Sequence, residues 1–242
     1  MRLALLAALL SAAPLAAPAG AAPIETGSLY RIENREGGVF TPTPAGGDSN
    51  GWYTDLTIRV DGATQGVSAG LFVLDRAGFG TAGPWSTLDA FCLQPEVFLV
   101  PFSNPYLATS LAGSRFDASG LVSELWGRFR ASVVDDASAA AFQVALWELA
   151  YRETDRNLDT GAFRLASTSA AVRTRAQGWI DALDGTGPRA DDLVVLVSDP
   201  RSADRQDLLT TGRVPAPASI GLTALGLGAL LGVRALRIRR AG

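Results

Sequence analysis

The sequence predicts an α+β fold in which a β-rich, sandwich- or barrel-like first half packs on a helical second half. Up to about residue 102, short apolar runs alternate with clusters of glycine, asparagine and aspartate, which is typical of strands joined by turns. From about residue 121, apolar side chains recur at helical spacing. Between two apolar ends lie roughly 190 residues, enough for a single domain at 23–212.

The first 22 residues have the order of parts of a secretory signal peptide. One charge, Arg2, precedes a short apolar run at 3–10, and small residues and prolines follow. Ala19 and Ala21 have the spacing that a leader peptidase recognises. Because the run is too short to span a bilayer, we expect cleavage after Ala21 or Ala22 and an extracytoplasmic mature chain.

Strands are predicted in the first half of the domain at residues 28–32, 52–60, 69–74 and 90–100, with turn-forming segments between them. In the second of these, Leu56, Ile58 and Val60 alternate with polar residues. This alternation indicates a strand with one buried face.

Helices are predicted at residues 121–130, 136–152 and 168–183, followed by an apolar strand at 192–197. The middle helix has the strongest signals. Asp135 and Asp136 suit its N-cap and first turn, and the run at 137–141 is rich in alanine. Apolar residues occupy two sides of this helix, so we expect it to be buried, with Leu146 enclosed.

Residues 213–242 form a distinct C-terminal segment. Val214, Pro215 and Pro217 lie in a proline-rich step, and an apolar stretch at 220–233 follows. The basic end includes Arg237, Arg239 and Arg240. A spanning helix needs about 20 residues, a length that is reached if the arginines extend to the interface. We expect a transmembrane helix with a cytoplasmic basic end, in preference to a buried core helix, because these arginines have no acidic neighbours.

This tail resembles the PEP-CTERM sorting signals of Gram-negative bacteria, in their VPxPA variant. Ala216 stands where the name-giving motif has glutamate. The resemblance implies that an exosortase-type membrane protease processes the tail. The protein would then remain anchored by its C-terminal helix or be released to the cell surface and its polysaccharide matrix.

Composition excludes several kinds of chemistry. The chain contains no histidine, and all 21 basic residues are arginine. These absences exclude a Ser-His-Asp triad, a Cys-His protease, histidine-based metal sites and a Schiff-base lysine. The net charge of −3 gives no electrostatic support to nucleic-acid binding. We expect neither a cofactor nor a metal.

Cys92 and Gln143 are the two residues that stand out. Cys92, the single cysteine, lies in an apolar strand, where it can be a buried spectator, an intermolecular link or a reactive group. Gln143 lies inside the predicted buried helix. Burying an unpaired amide costs about 1 to 3 kcal/mol of folding free energy. We therefore expect the Gln143 side chain either to form a hydrogen bond with a neighbouring strand or to take part in a covalent bond.

A Phe-Cys strand followed by a helix reading Gln-x-Ala-Leu-Trp-Glu resembles the thioester domains of bacterial surface proteins. The resemblance extends loosely over 87–209, with Phe142 where the better-known motif has threonine. It implies an internal thioester between Cys92 and Gln143, supported by Phe91, Phe142 and Trp147. We therefore expect the Cys92 sulfur, on a strand, and the Gln143 side chain, on the buried helix, to be in direct contact.

Three hypotheses follow. The first is a non-enzymatic adhesion or matrix-attachment protein whose thioester couples once to a surface amine or hydroxyl, or to extracellular polysaccharide. The second is a non-covalent structural protein of the matrix or biofilm. The third, a hydrolase, ranks last because its candidate acids are better explained as helix caps and a solvated charge run. Those candidates are Asp135, Asp136, Glu148, Glu153 and Asp155.

Overall fold

The structure is a computed structural model of the 242-residue chain. It describes residues 22–33, 51–80, 84–97, 105–112, 114–117, 119–151, 155–198 and 205–212. The predicted signal peptide at 1–22 lies outside the described residues except for Ala22. The predicted tail at 213–242 lies wholly outside them.

The described residues form an antiparallel sheet of eight strands. In chain order the strands are β1 (Leu29–Glu33), β2 (Gly51–Val60), β3 (Ala63–Gly78), β4 (Ser86–Cys92), β5 (Pro105–Ser110), β6 (Phe163–Ser167), β7 (Leu193–Ser198) and β8 (Leu208–Thr211). The sheet order is β1-β5-β7-β8-β4-β3-β2-β6, and β1 also pairs with β3. That extra pairing closes part of the sheet on itself, so the predicted α+β class with a barrel-like sheet is confirmed.

The hairpin of β2 and β3 is the longest pairing in the sheet. Its register runs from Gly51 opposite Phe72 to Val60 opposite Ala63. The connecting residues Asp61 and Gly62 have φ angles of 47° and 87°. Positive φ at both positions is the type I′ geometry that matches the twist of the flanking strands, and Asp-Gly favours it.

Helices in the described residues are α1 (Leu121–Phe129), a short 3₁₀ turn (Arg130–Ser132), α2 (Asp136–Ala150) and α3 (Ala170–Asp181). The helix α2 packs against β2 and β3 and against α3. Its contacts on both sides bury every residue from Ser138 to Leu149. Leu146 is fully buried, as its place in the two-sided apolar pattern predicts.

The start of α2 agrees with its sequence signals. Asp135 is the N-cap, and its carboxylate accepts a hydrogen bond from the Ser138 backbone N–H at 2.7 Å. The Ser138 hydroxyl in turn accepts a bond from the Asp135 backbone N–H at 3.0 Å. This reciprocal capping box satisfies two donors at the helix start.

The division into a β half and a helical half is too simple. Strands β7 and β8 come from the second half of the chain but lie between β5 and β4. The predicted strand at 90–100 in fact begins at Ser86 and ends at Cys92. Pro95 follows soon after, and proline cannot donate to a strand ladder. Strands β5, β6 and β8 were not predicted, because each is only four to six residues long.

Among the described residues, no helix combines the length and the apolar character that crossing a bilayer requires. The transmembrane helix predicted from the sequence falls at 213–242, outside these residues.

Candidate functional site

Cys92 is the last residue of β4, in the interior of the sheet. Its strand pairs with β8, so that Phe91 lies opposite Leu209 and Cys92 opposite Leu208. The Cys92 side chain is 3% exposed. The residue is therefore almost wholly enclosed.

Gln143 lies midway along α2 and is fully buried. Its side chain reaches from the helix to the end of β4. The Cys92 backbone N–H donates to Gln143 Oε1 at 2.9 Å, and Gln143 Nε2 donates to the Cys92 carbonyl at 2.7 Å. The structure thus brings the two residues together through the Cys92 backbone. The expected contact between the Cys92 sulfur and the Gln143 side chain stays a prediction.

This pairing satisfies the buried amide. Leaving one buried donor or acceptor without a partner costs about 1 to 3 kcal/mol, and the two bonds remove that cost for four groups at once. The hydrogen bond to a neighbouring strand, one of the two sequence-based explanations for a buried Gln143, is therefore present. It also fixes the amide plane beside the thiol-bearing residue.

Burial raises the pKa of the Cys92 thiol far above its ordinary value. The thiol is therefore protonated at neutral pH. Attack by a preformed thiolate is therefore disfavoured. Any acyl transfer to the Cys92 sulfur must also remove the thiol proton. The Cys92 backbone N–H donates a hydrogen bond to Gln143 Oε1. A fixed donor of this kind stabilises the negative charge that develops on a carbonyl oxygen during acyl transfer.

Aromatic rings surround this junction. Phe91 and Phe142 pack with centroids 4.7 Å apart, and Trp126 contacts each of them edge to face at 5.7 Å. These rings therefore pack at the β4–α2 junction, where the sequence predicts that Phe91 and Phe142 support a thioester. Trp126 belongs to the same cluster but was not singled out from the sequence.

Trp147 lies elsewhere, one helical turn beyond Gln143. Its ring packs against Phe163 with centroids 6.1 Å apart. Trp147 is 1% exposed and, together with Cys92, contributes to the wall of a cavity of about 760 Å³. This cavity gives a molecule from solvent a route toward the Cys92 side of the pair.

The chain immediately after Cys92 is held by side-chain hydrogen bonds that the sequence did not reveal. Gln94 Oε1 accepts from the Asp207 backbone N–H at 2.8 Å, and Gln206 Nε2 donates to the Gln94 carbonyl at 2.6 Å. Gln65 Nε2 donates to the Pro95 carbonyl at 2.6 Å. These bonds fix the backbone next to Cys92, and rigid positioning of this kind favours a reaction between neighbouring groups.

The acidic residue in the 121–126 segment has a structural explanation. Glu124 is fully buried and accepts hydrogen bonds from the backbone N–H groups of Gly185 at 2.7 Å and Gly187 at 3.2 Å. It also pairs with Arg128 at 3.0 Å. Glu124 therefore holds the loop after α3 against α1.

Two of the acids considered for hydrolysis, Asp135 and Glu148, lie far apart. Asp135 caps α2, and Glu148 lies about 20 Å further along the same helix at about 1.5 Å per residue. Carboxylates that cooperate in glycoside hydrolysis lie about 5 to 9.5 Å apart. Asp155 accepts a hydrogen bond from the Thr160 hydroxyl, and Glu153 lies outside the described residues.

Within the described part of the chain, no three histidine, cysteine, aspartate or glutamate residues are grouped so that they could hold a metal ion. The sorting-signal residues Val214, Pro215, Pro217, Arg237, Arg239 and Arg240 lie outside that part.

Comparison of this chain with protein-family models, curated proteins and solved structures gives no match. The resemblances to thioester domains and to sorting tails therefore rest on the residues quoted above.

Proposed function

We propose that this chain is an exported cell-surface or extracellular-matrix protein whose internal Cys92–Gln143 thioester attaches it covalently to a surface or matrix partner. The observation that carries the proposal is the amide of Gln143 held against Cys92 by two hydrogen bonds of 2.9 and 2.7 Å. The burial of Cys92 and of Gln143, and the cavity whose wall includes Cys92, also support this proposal.

Closure of the bond is chemically balanced within the protein. The Cys92 S–H and the Gln143 Cδ–Nε2 bonds break, and a Cys92 Sγ–Gln143 Cδ bond forms. The thiol proton passes to the departing nitrogen, which leaves as ammonia. Fixed proximity replaces an external catalyst, and the Cys92 N–H stabilises the developing oxyanion on Gln143 Oε1.

Discharge of the bond attaches the partner. An amine or hydroxyl of the partner attacks Gln143 Cδ, the Cδ–Sγ bond breaks, and the proton returns to sulfur. The product is an amide or ester on Gln143 and a free thiol on Cys92. Because the thiol does not attack again, the protein couples once and does not turn over.

Export and anchoring belong to the same proposal. The signal peptide at 1–22 directs the chain out of the cytoplasm, and an exosortase-type protease processes the tail at 213–242. Before processing, the C-terminal helix holds the protein at the membrane.

A non-covalent structural matrix protein is the second candidate. It is favoured by the same two hydrogen bonds, because they satisfy Gln143 without any covalent bond. In that case Cys92 is a packed spectator whose buried thiol remains protonated.

Amine uptake separates the two candidates. The intact protein is incubated with methylamine, digested and mapped by mass spectrometry. The proposal predicts a methylamide on the Gln143 side chain, a free thiol on Cys92, and no uptake in Cys92→Ala. An unmodified Gln143 after this treatment overturns the covalent function and leaves the structural one.

A further inference from the structure

A cavity of about 760 Å³ lies beside the Cys92–Gln143 pair. Residues of β2 and β3 form one side of it. The segment at 167–169, which begins at the last residue of β6, forms another. Cys92 and Trp147 also contribute to its wall. Its volume falls within the range of about 300 to 1,000 Å³ that is typical of small-molecule sites.

The wall of the cavity is rich in hydroxyl groups. They belong to Thr57, Ser68, Ser167, Thr168 and Ser169. Among the described residues that line the cavity, the one charged side chain is Asp55, and the Ser68 hydroxyl donates to its carboxylate at 2.7 Å. Among the described lining residues, one carboxylate and no cation disfavour an anionic ligand.

Two buried polar atoms on lining residues have no hydrogen-bond partner among the described residues. They are Nε1 of Trp147 and Oγ1 of Thr168. The indole N–H can only donate, whereas the hydroxyl can donate and accept. Since buried polar groups are paired in nearly all proteins, their orphaned state points to a partner that binds here.

Apart from Gln206, whose side-chain amide donates to the Gln94 carbonyl, most of the remaining described wall is apolar. Leu56, Val67, Phe72 and Pro95 lie next to the hydroxyl groups. A ligand for this surface therefore needs hydroxyl groups for hydrogen bonding and C–H faces for packing. It must also lack negative charge.

We infer that this cavity reversibly binds a short neutral saccharide, through hydrogen bonds to Trp147 Nε1 and Thr168 Oγ1. The inference deepens the proposed function by giving the partner a chemical class and a docking place next to Cys92. Reversible binding does not itself require the thioester, because none of the groups used here takes part in that bond.

The test uses the full-length protein in detergent with the substitution Cys92→Ala, which cannot couple covalently. Titration calorimetry measures binding of cellotriose, maltotriose and chitotriose as neutral probes. Trigalacturonate and a Gly-Ser tetrapeptide are the acidic and peptide probes. Saturable binding of at least one neutral probe, with no binding of the other two, is the expected result.

Added substitutions locate the site. Thr168→Val removes one hydroxyl with little change of shape, and Trp147→Phe removes the indole N–H. Each is expected to weaken binding by about threefold to tenfold, the effect of losing one hydrogen bond. Thr109→Val is the matched control, because its hydroxyl already pairs with the Val195 carbonyl at 3.3 Å on β5.

Three outcomes overturn the inference: no neutral probe binds, the acidic or peptide probe binds more tightly, or Thr168→Val has no more effect than Thr109→Val. If Trp147→Phe does not fold, Thr168→Val alone decides the result. Since every protein in the series carries Cys92→Ala, failure of the thioester proposal leaves this result unaffected.

Discussion

The side-chain amide of Gln143 spans the Cys92 backbone, with Oε1 2.9 Å from the Cys92 nitrogen and Nε2 donating to the Cys92 carbonyl at 2.7 Å. One side chain thereby ties the centre of α2 to the end of β4, across 51 residues of sequence. The same contact serves a purely structural role or precedes a covalent bond. Substitutions of Cys92 and of Gln143 separate these two roles.

Cys92→Ala should lower the free energy of unfolding by about 4 kcal/mol if the thioester forms, because it opens a covalent loop of 51 residues. In Cys92→Ala the intact Gln143 amide can form both hydrogen bonds to the backbone of residue 92, whereas the thioester form has lost Nε2 and its bond. Without a thioester it deletes one small group and should cost under about 1.5 kcal/mol. Urea denaturation under non-reducing conditions measures the difference.

Gln143→Ala is the companion variant. It leaves the Cys92 N–H and carbonyl unpaired in the core, so it should cost about 1 to 3 kcal/mol for each of these two groups even when no thioester exists. A structural role therefore predicts that Gln143→Ala is the more damaging of the two. The covalent role predicts similarly large losses of unfolding free energy in Cys92→Ala and Gln143→Ala. A negligible loss in Cys92→Ala would contradict the covalent role.

Leu146→Ala should destabilise the protein by about 2 to 5 kcal/mol, because its side chain is fully enclosed on α2. Val134→Ala is the control, since Val134 lies just before the same helix and is 64% exposed. Its effect should stay within about 0.5 kcal/mol. Chemical denaturation of the two variants side by side tests the buried position of α2, and equal effects would contradict it.

Asp135→Ala should cost about 1 kcal/mol at neutral pH through loss of the N-cap of α2. Hydrogen bonds from Ser138, by its side chain and its backbone N–H, lower the pKa of Asp135. A carboxylate with a lowered folded-state pKa stabilises the fold above its unfolded pKa of about 3.9, and this contribution disappears as the pH falls through the lower folded value.

The difference between wild type and Asp135→Ala should therefore be constant from pH 7 to about pH 5 and shrink below about pH 4. Asp135→Asn is the matched control, because asparagine caps helices about as well but does not titrate. If the difference grows as the pH falls, this assignment of the cap is wrong.

The exported protein should begin at Ala22 or Pro23. Ile24 is buried in the core, and the Glu25 backbone N–H donates to the Tyr30 hydroxyl at 2.9 Å. Cleavage further into the chain would remove these contacts. Terminal sequencing of the protein extracted from the cell surface checks this, together with removal of the tail from Val214. A full-length cytoplasmic product would contradict export.

Strong local signals made much of this fold predictable from the sequence. The capping residue Asp135, the alanine-rich first turns and the two apolar sides of α2 all agree, so its start and burial were correct. Strands β5 and β8 carry weak local signals. Their positions depend on pairing with β7 and β4, which are distant in sequence, and no local pattern encodes that pairing.

The candidate site was predictable to a similar degree. Cys92 and Gln143 were identified because a lone cysteine and a buried amide both require an explanation. The roles of Gln65, Gln94 and Gln206 could not be read from the sequence, because their hydrogen bonds join the backbone after Cys92 to distant parts of the chain. The hydroxyl groups of the cavity likewise converge only in the folded chain.

The intact mass of the mature protein tests the central claim most directly. Mass spectrometry is carried out under acidic denaturing conditions without added amine, on the wild type and on Cys92→Ala. The thioester predicts a wild-type mass lower than its sequence mass by one ammonia, and the full sequence mass for Cys92→Ala. A wild-type protein at its full sequence mass, with a Cys92 thiol that alkylates stoichiometrically once unfolded, would contradict the account.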